Sequence, residues 1–453
     1  MSILPGLCPT DRIQRRRMTF GRQSIYALAL VLIAGGLIPV CIAAPNASAE
    51  FLTLAQAEQI ALTANPALAG VVAQAEAMAA IPSQAGALPD PRLGLNALNM
   101  PVDTFDLDQD PMTQMQVSLT QAFPFPGKRG LRREAAEHEA AAASAAIGEQ
   151  QLRILGEVRA TWWKLFALDR SLANVRENQG LMRDFVEIAR TKYKVGAGLQ
   201  QDVLLAQLEL SRLLNDELQL VSRRETAAAA FNALLDRPSA YAVRIAPLPE
   251  NDSLPELPSE NELLDTAVQN RPLLAGQREL VEAARDRSDL AKKAYYPDFQ
   301  LGAAYGFRSA NDRLTGEDLP DFLSIMFSVS LPIYSGSRQD QAMQQRSKEL
   351  TQRQFMLGDA LRSVEATIAQ RRAQYVAARE QVLLFSTAIL PQAEQTVESM
   401  LAGYQVNEVD FLNVVNAELR LFNSQVSYWE ALGTAKASLA HLATAVGEES
   451  LYE

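Results

Sequence analysis

Two histidines, two cysteines and a tight run of aspartates are the residues of this 453-residue chain that invite a chemical reading. His138 and His441 lie far apart, so each reads as a surface or packing residue rather than half of a metal site. Asp103, Asp106, Asp108 and Asp110 have the density of a calcium loop. Their D-x-x-D-x-D-x-D spacing lacks the glycine and closing glutamate of an EF-hand, so a solvent-facing acidic loop is expected instead. The dipeptides Trp162-Trp163 and Tyr295-Tyr296 suit packing and membrane-interface roles better than catalytic ones. No Gly-rich phosphate loop, nucleophile elbow or His-Glu-x-x-His occurs. No catalytic residue, metal site or cofactor is therefore expected, and the chain does not read as an enzyme.

Both cysteines, Cys8 and Cys41, fall in an N-terminal segment that reads as an export signal. Arg12, Arg15, Arg16, Arg17 and Arg22 precede an uncharged run from Ile25 to Ala44, and Ala47-Ser48-Ala49 has the form of a cleavage site. Removal of residues 1–49 is expected, with a retained anchoring helix or acylation at Cys41 as alternatives. Ile38-Pro39-Val40 lacks the small residue usual before a lipidated cysteine. Cleavage takes away five arginines and one aspartate, moves the net charge from −11 to −15, and leaves no cysteine. No disulfide, thiolate nucleophile or soft-metal site is then available. Nucleic acid finds no basic face here. No stretch of the body is apolar for long enough to span a bilayer as a helix.

The rest of the chain is a duplication. Thr53-Leu54-Ala55-Gln56 has the form of a capping box, and Ser259-Glu260-Asn261-Glu262 repeats it 206 positions later. Asn65-Pro66 and Arg271-Pro272 share that offset, as do Pro91 and Pro297. Further on the offset becomes 211: Tyr193-Lys194-Val195 falls on Tyr404-Gln405-Val406, Ala206 on Ala417 and Leu210 on Leu421. One repeat is expected over 50–240 and another over 260–453, joined by a proline-rich linker at 241–259. In each, a helix (53–88; 260–294) leads to two strands, a very long helix, a tight turn and a return helix.

The strands are expected at 92–100 and 113–123, then at 298–308 and 322–333. Phe299, Leu301, Ala303, Tyr305 and Phe307 alternate with smaller or polar neighbours, as do Leu323, Ile325, Phe327, Val329 and Leu331. Such period-2 segments of about ten residues match tilted membrane strands, with a half-buried periplasmic sheet as the other possibility. Residues 130–194 hold no proline, and Leu155, Val158, Trp162, Leu165, Leu172 and Val175 recur at coiled-coil spacing. A helix of that length is a rod of roughly 100 Å, which two shorter helices stacked end to end would cover. Gly180 and Pro391, 211 positions apart, are paired weak points in the two long helices and are hinge candidates.

The ordered motifs resemble those of the TolC family of trimeric outer-membrane efflux proteins over essentially the whole mature chain. The residues that carry the resemblance are Asn65-Pro66, the run Thr120-Gln121-Ala122-Phe123-Pro124-Phe125-Pro126-Gly127-Lys128-Arg129, Tyr295-Tyr296-Pro297-Asp298-Phe299, Leu331-Pro332-Ile333-Tyr334-Ser335-Gly336, and the turns at Tyr193-Lys194-Val195-Gly196 and Gly403-Tyr404-Gln405-Val406. The Pro-Phe-Pro-Gly-Lys-Arg junction looks most like the heavy-metal branch, whose pumps are of the resistance-nodulation-division class. The resemblance implies a mixed α/β membrane protein. Four strands per chain would make a twelve-stranded barrel in a homotrimer, continued by a coiled-coil tunnel through the periplasm. Four strands alone cannot close a barrel, whereas three copies pair every edge. It further implies a periplasmic adaptor and an inner-membrane pump as partners, besides outer-membrane lipid. A periplasmic coiled-coil adaptor, or a duct for drugs or secreted polypeptide, are the alternatives.

For the site residues, the resemblance implies that the hairpin tips meet the adaptor, which points to Tyr193, Val195 and Gly196, and to Tyr404 and Val406. It also implies a periplasmic gate. Asn413 and Asn416 stand where family members place two aspartates, and Val409 where they place a latch arginine, while Asp202 matches the paired aspartate. The gate would be polar but uncharged, with Glu408 and Asp410 close enough to restore negative charge.

Overall fold

The computed structural model describes residues 51–247, 254–311, 315–406 and 408–452. The expected export signal, its expected cleavage site and Cys41 lie outside them. The first repeat folds as α1 (Leu54–Ala64), α2 (Pro66–Ala79), α3 (Ile81–Gly86), β1 (Arg92–Leu98), β2 (Gln114–Phe123), α4 (Lys128–Lys194) and α5 (Gln200–Leu234). The second gives α6 (Glu260–Asn270), α7 (Pro272–Lys293), β3 (Phe299–Phe307), β4 (Phe322–Val329), α8 (Gln339–Leu384), a π-helical turn (Phe385–Ile389), α9 (Leu390–Gln405) and α10 (Phe411–Val446).

Each expected opening helix is broken where its proline stands. Pro66 and Pro272 have no N–H for the preceding turn, so α2 and α7 start afresh with proline in the first position. Asn65 fills the gap before α2: its side-chain oxygen accepts from the N–H groups of Ala67 at 3.0 Å and Leu68 at 3.3 Å. Its amide donates to the Leu234 carbonyl at 3.0 Å, which ties the break to the end of α5. Both capping boxes form, Thr53 with Gln56 and Ser259 with Glu262. The fourth strand stops at Val329, four residues short of expectation. The Ser330 N–H donates to the Asp298 carbonyl, and Pro332 has no N–H to extend the ladder.

α4 is 67 residues long, and α8, the π turn and α9, of 46, 5 and 16 residues, cover the same length. The short helices stack along these rods as their lengths require. α1, α2, α3 and α5 pack on α4, and α6, α7 and α10 on α8, while α7 and α10 also join the two rods. Along the half of the rods away from the strands, the neighbours run α5, α4, α10, α8, a wall one helix thick. The seam of α4 supplies its core: Val158, Leu165 and Val175 are fully buried, in one cluster that also takes in Phe231 and Leu213 of α5 and Val414 and Val415 of α10. Trp162 and Trp163 belong to this core; the Trp163 indole donates to the Tyr452 hydroxyl. Tyr296 sits below the strands, stacked on Phe125 at 4.5 Å.

The four strands form one antiparallel meander in the order β1-β2-β3-β4. Leu95 pairs with Val117, Val117 with Tyr305, and Tyr305 with Leu323, so the odd-numbered side chains of all four strands share a face. That face is apolar and open: Leu93 is 70% exposed, Ile325 81% and Phe327 64%. The opposite face carries Asn96, Gln116, Thr120, Gln300, Ser324 and Ser328. The outer edges of β1 and β4 pair with nothing among the described residues. In the β1–β2 loop two of the aspartates form Asx turns, Asp106 accepting from the Asp108 N–H and Asp110 from the Met112 N–H.

Candidate conduction path

At the end remote from the strands, α4 closes with a left-handed glycine. Gly196 has φ +76°, the Ala197 N–H donates to the Lys192 carbonyl at 2.9 Å, and the Gly196 N–H to the Tyr193 carbonyl at 3.1 Å. These are the two bonds of a Schellman motif, which needs a residue without a Cβ at its left-handed position. At the second tip the Glu408 N–H donates to the Gly403 carbonyl at 2.9 Å, the same bond 211 positions on.

The tips differ in one compensated detail. At the first, Gly198 lies under the Lys192 side chain, and a Cβ there would come within 2.9 Å of it. At the second, the glycine has moved to the helix side of the same contact. A Cβ on Gly403 would fall 2.6 Å from Val409, the residue at the latch-arginine position. Val409 therefore fills a packing role in this chain.

Tyr193 is 48% exposed, Val195 74% and Val406 64%, so these three are open to a partner. Tyr404 is not equivalent to Tyr193. It is half-buried, its ring 5.8 Å from that of Phe411 and 3.8 Å from the ammonium of Lys192. Asp202 accepts from the Leu199 N–H at 3.3 Å, which caps α5. Glu408 and Asp410 are exposed, Asp410 being the N-cap residue of α10. Asn413 and Asn416 are exposed on one face of α10.

The hinge candidates are unequal. At Pro391 the helix has rearranged: the preceding turn is π-helical, and the Leu390 N–H reaches back to the Phe385 carbonyl. A proline that cannot bond the carbonyl four residues back and collides with it leaves such a widened turn. α4 runs unbroken through Gly180, and a Cβ built there meets nothing within 4 Å. Close packing within the chain therefore gives no reason for a glycine at 180.

Midway along the wall lies a cavity of about 1230 Å³, lined by all four of its helices and including Glu157, Lys164, Arg223, Arg371, Glu430 and His441. Burial pushes the His441 imidazole below its ordinary pKa, and Arg371 adds to the effect. His138 is neither alone nor a packing residue. Its Nδ1 lies 2.6 Å from Glu279 Oε2 and its Nε2 3.7 Å from Asp286 Oδ2, which fastens α4 to α7. Glu279 raises the imidazole pKa, and burial raises the Asp286 carboxyl. Periodicity holds no signal for this bridge or for Lys192 on Tyr404, since each joins residues distant in sequence.

Residues 58–237 and 263–448 match the outer membrane efflux protein family, one span in each repeat. The cobalt-zinc-cadmium resistance protein CzcC of Cupriavidus metallidurans is 22% identical over 409 residues, 90% of this chain and 92% of its own. Among solved structures, the outer membrane protein VceC from Vibrio cholerae superposes with a TM-score of 0.71 at 20% identity, over 88% of this chain and 97% of that one. The open state of the MtrE outer membrane channel of Neisseria gonorrhoeae gives 0.72 at 17% identity, over 87% and 89%. With both repeats matched, strand pairs and hairpins included, the chain belongs to the outer membrane efflux protein family: it is a transport duct of the outer membrane with a periplasmic helical tunnel, not an enzyme.

Proposed function

We propose that three copies of this chain close a twelve-stranded barrel and act as the outer-membrane exit of a tripartite efflux system. The observation that carries this is the four-stranded sheet, apolar on one exposed face and unpaired at both edges. An open edge in hydrocarbon leaves backbone groups unsatisfied at several kcal/mol each, so a membrane sheet must close. Lipid meets the odd-numbered face and water the other. The exposed tips at Tyr193, Val195 and Val406 suit an adaptor's helical hairpins, through which an inner-membrane pump delivers cargo. Cross-linking of the protein in intact outer membranes tests the assembly: a three-chain band is expected, and a protein extracted by salt as a monomer would refute it.

A heavy-metal cargo has one support, the likeness to a cobalt-zinc-cadmium resistance protein. Loss of the gene should then raise sensitivity to those cations; unchanged tolerance would leave drugs or polypeptide as cargo. The charge on the wall bears on the same question.

A further inference from the structure

The exposed side of α10 is one continuous stripe. Asn413, Asn416, Arg420, Asn423, Glu430 and Thr434 are all exposed and recur three, four or seven apart, which keeps them on one helix face. At its far end the stripe enters the cavity, where Glu430, Thr434 and His441 meet α4, α5 and α8. It therefore belongs to the hollow side of the wall. In a three-chain duct, the reading on which this inference rests, that side faces the lumen.

From Asn413 to Asn423 the stripe holds a single charge, Arg420. Among the described residues its guanidinium has no hydrogen-bond or ion-pair partner; beyond the helix ladder, only its backbone carbonyl takes a side-chain bond, accepting from the Ser424 hydroxyl at 2.8 Å. The nearest acid on α10 is Glu418, two positions away, a spacing at which helical side chains do not face each other. Glu418 is also half-buried, and burial raises its carboxyl pKa, so it is a poor counter-charge. Asp410 is ten residues off, about 15 Å along the helix. On α5 the arginine nearest the tip, Arg212, is already paired with Glu209 at 2.6 Å.

We infer that Arg420 sets the ion preference of the duct: three guanidinium groups ring the lumen just inside the Asn413 and Asn416 positions and favour anionic solutes over bare cations. Unpaired like charges lining a water-filled path between low-dielectric walls focus their field along it, and rings of arginine are the device of anion-selective pores. The asparagines add hydrogen-bond donors and no opposing charge. A free metal cation would cross this collar against the field, whereas a carboxylate- or phosphate-bearing solute would be drawn through it.

The test is the reversal potential of the purified trimer in a planar bilayer across a potassium chloride gradient. Wild type should prefer chloride several-fold at low salt, with the preference fading toward 1 M, where screening acts over about 3 Å. Arg420→Gln should abolish the preference and Arg420→Glu reverse it. A wild type that prefers potassium, or variants with unchanged reversal potential, would overturn the inference while leaving the channel intact. A wild-type protein that forms no conducting trimer would instead remove the channel reading, and this inference with it. Position 420 is solvent-exposed, and Arg420→Gln alone decides the matter if the charge-reversed variant fails to assemble.

Discussion

The ammonium of Lys192, on the last turn of α4, lies 3.8 Å from the centre of the Tyr404 ring on the last turn of α9. One cation–π contact thus ties together the two helical tips of a single chain, in a chain whose latch-arginine position is occupied by Val409. At an exposed site such a contact contributes about 0.5–1 kcal/mol, a factor of roughly two to five in a tip-open equilibrium for each protomer. Lys192→Ala should therefore raise single-channel conductance, and Lys192→Arg should keep it near wild type. Equal conductance in all three proteins would leave the contact a packing detail.

The two hinge candidates, Gly180 and Pro391, respond differently to substitution. Gly180→Ala fills empty space and should raise thermal stability by up to about 1 kcal/mol, since alanine holds a helix better than glycine. Pro391→Ala restores a backbone donor and should shrink the π turn before it. If the tips splay about these points, the double variant should remain trimeric and lose conductance and efflux. Full conductance in the stiffened protein would make the π turn a static feature of α8–α9.

A pH effect follows from His138. Its pKa is raised in the folded chain, first by the hydrogen bond with Glu279. A raised folded pKa gives stability that is fully present below the unfolded value, about 6.5, and lost as pH rises through the folded one. Asp286, raised by burial, gives a pH dependence of the same sign, because its buried carboxylate costs the folded state stability as pH rises above the unfolded value. The melting temperature of wild type should exceed that of His138→Gln below about pH 6 and approach it at alkaline pH. A gap that widens with pH would contradict the bridge.

The sheet assigns faces that alternation alone left open. Ile325 and Phe327 point to the apolar side and Ser328 to the other. Ile325→Lys or Phe327→Lys should cost about 2–4 kcal/mol if they face lipid near the midplane. Ser328→Lys should be tolerated. Urea titration of the folded barrel in lipid compares the three, and equal tolerance would remove the membrane assignment.

Much of this architecture was legible because it was written twice. Thr53 and Ser259 both cap, and Pro66 and Pro272 both restart a helix, since capping and proline chemistry act within one turn of the chain. The breaks themselves were missed, because amphipathic spacing continues across Asn65 and Arg271 while the backbone does not. Lys192 with Tyr404 and His138 with Glu279 were out of reach for a different reason. Each pair joins residues over a hundred positions apart, and a local pattern does not record which helix faces come together. The tip swap of Gly198–Lys192 for Val409–Gly403 is intermediate: both glycines are visible, but their exchange of sides appears only once the turns are built.

The duplication also predicts how one chain meets the next. Within the chain β2 joins the repeats by pairing with β3, Leu119 opposite Ala303. In a closed trimer β4 must play the part of β2, and β1 of the neighbouring copy the part of β3. Pro91 and Pro297 fix β1 and β3 at an offset of 206, which makes Ala97 the counterpart of Ala303. Leu95 and Leu301 share that offset, and their partners Val117 and Phe327 then make Val329 the counterpart of Leu119. The expected contact is therefore Val329 of one chain opposite Ala97 of the next, with both side chains on the apolar face. Directly opposed residues in antiparallel strands hold their Cβ atoms about 4.5–5.5 Å apart, within reach of a disulfide after slight adjustment. The expected removal of residues 1–49 would take away Cys8 and Cys41 and leave no other cysteine to compete. A Val329→Cys, Ala97→Cys variant should run as covalent trimer on oxidation, and each single variant as monomer. Pairing Val329→Cys with Leu95→Cys moves the partner two residues along the strand and should cross-link far less. Efficient cross-linking of that second pair instead would mean that the chains meet in a different register from the one the repeat dictates.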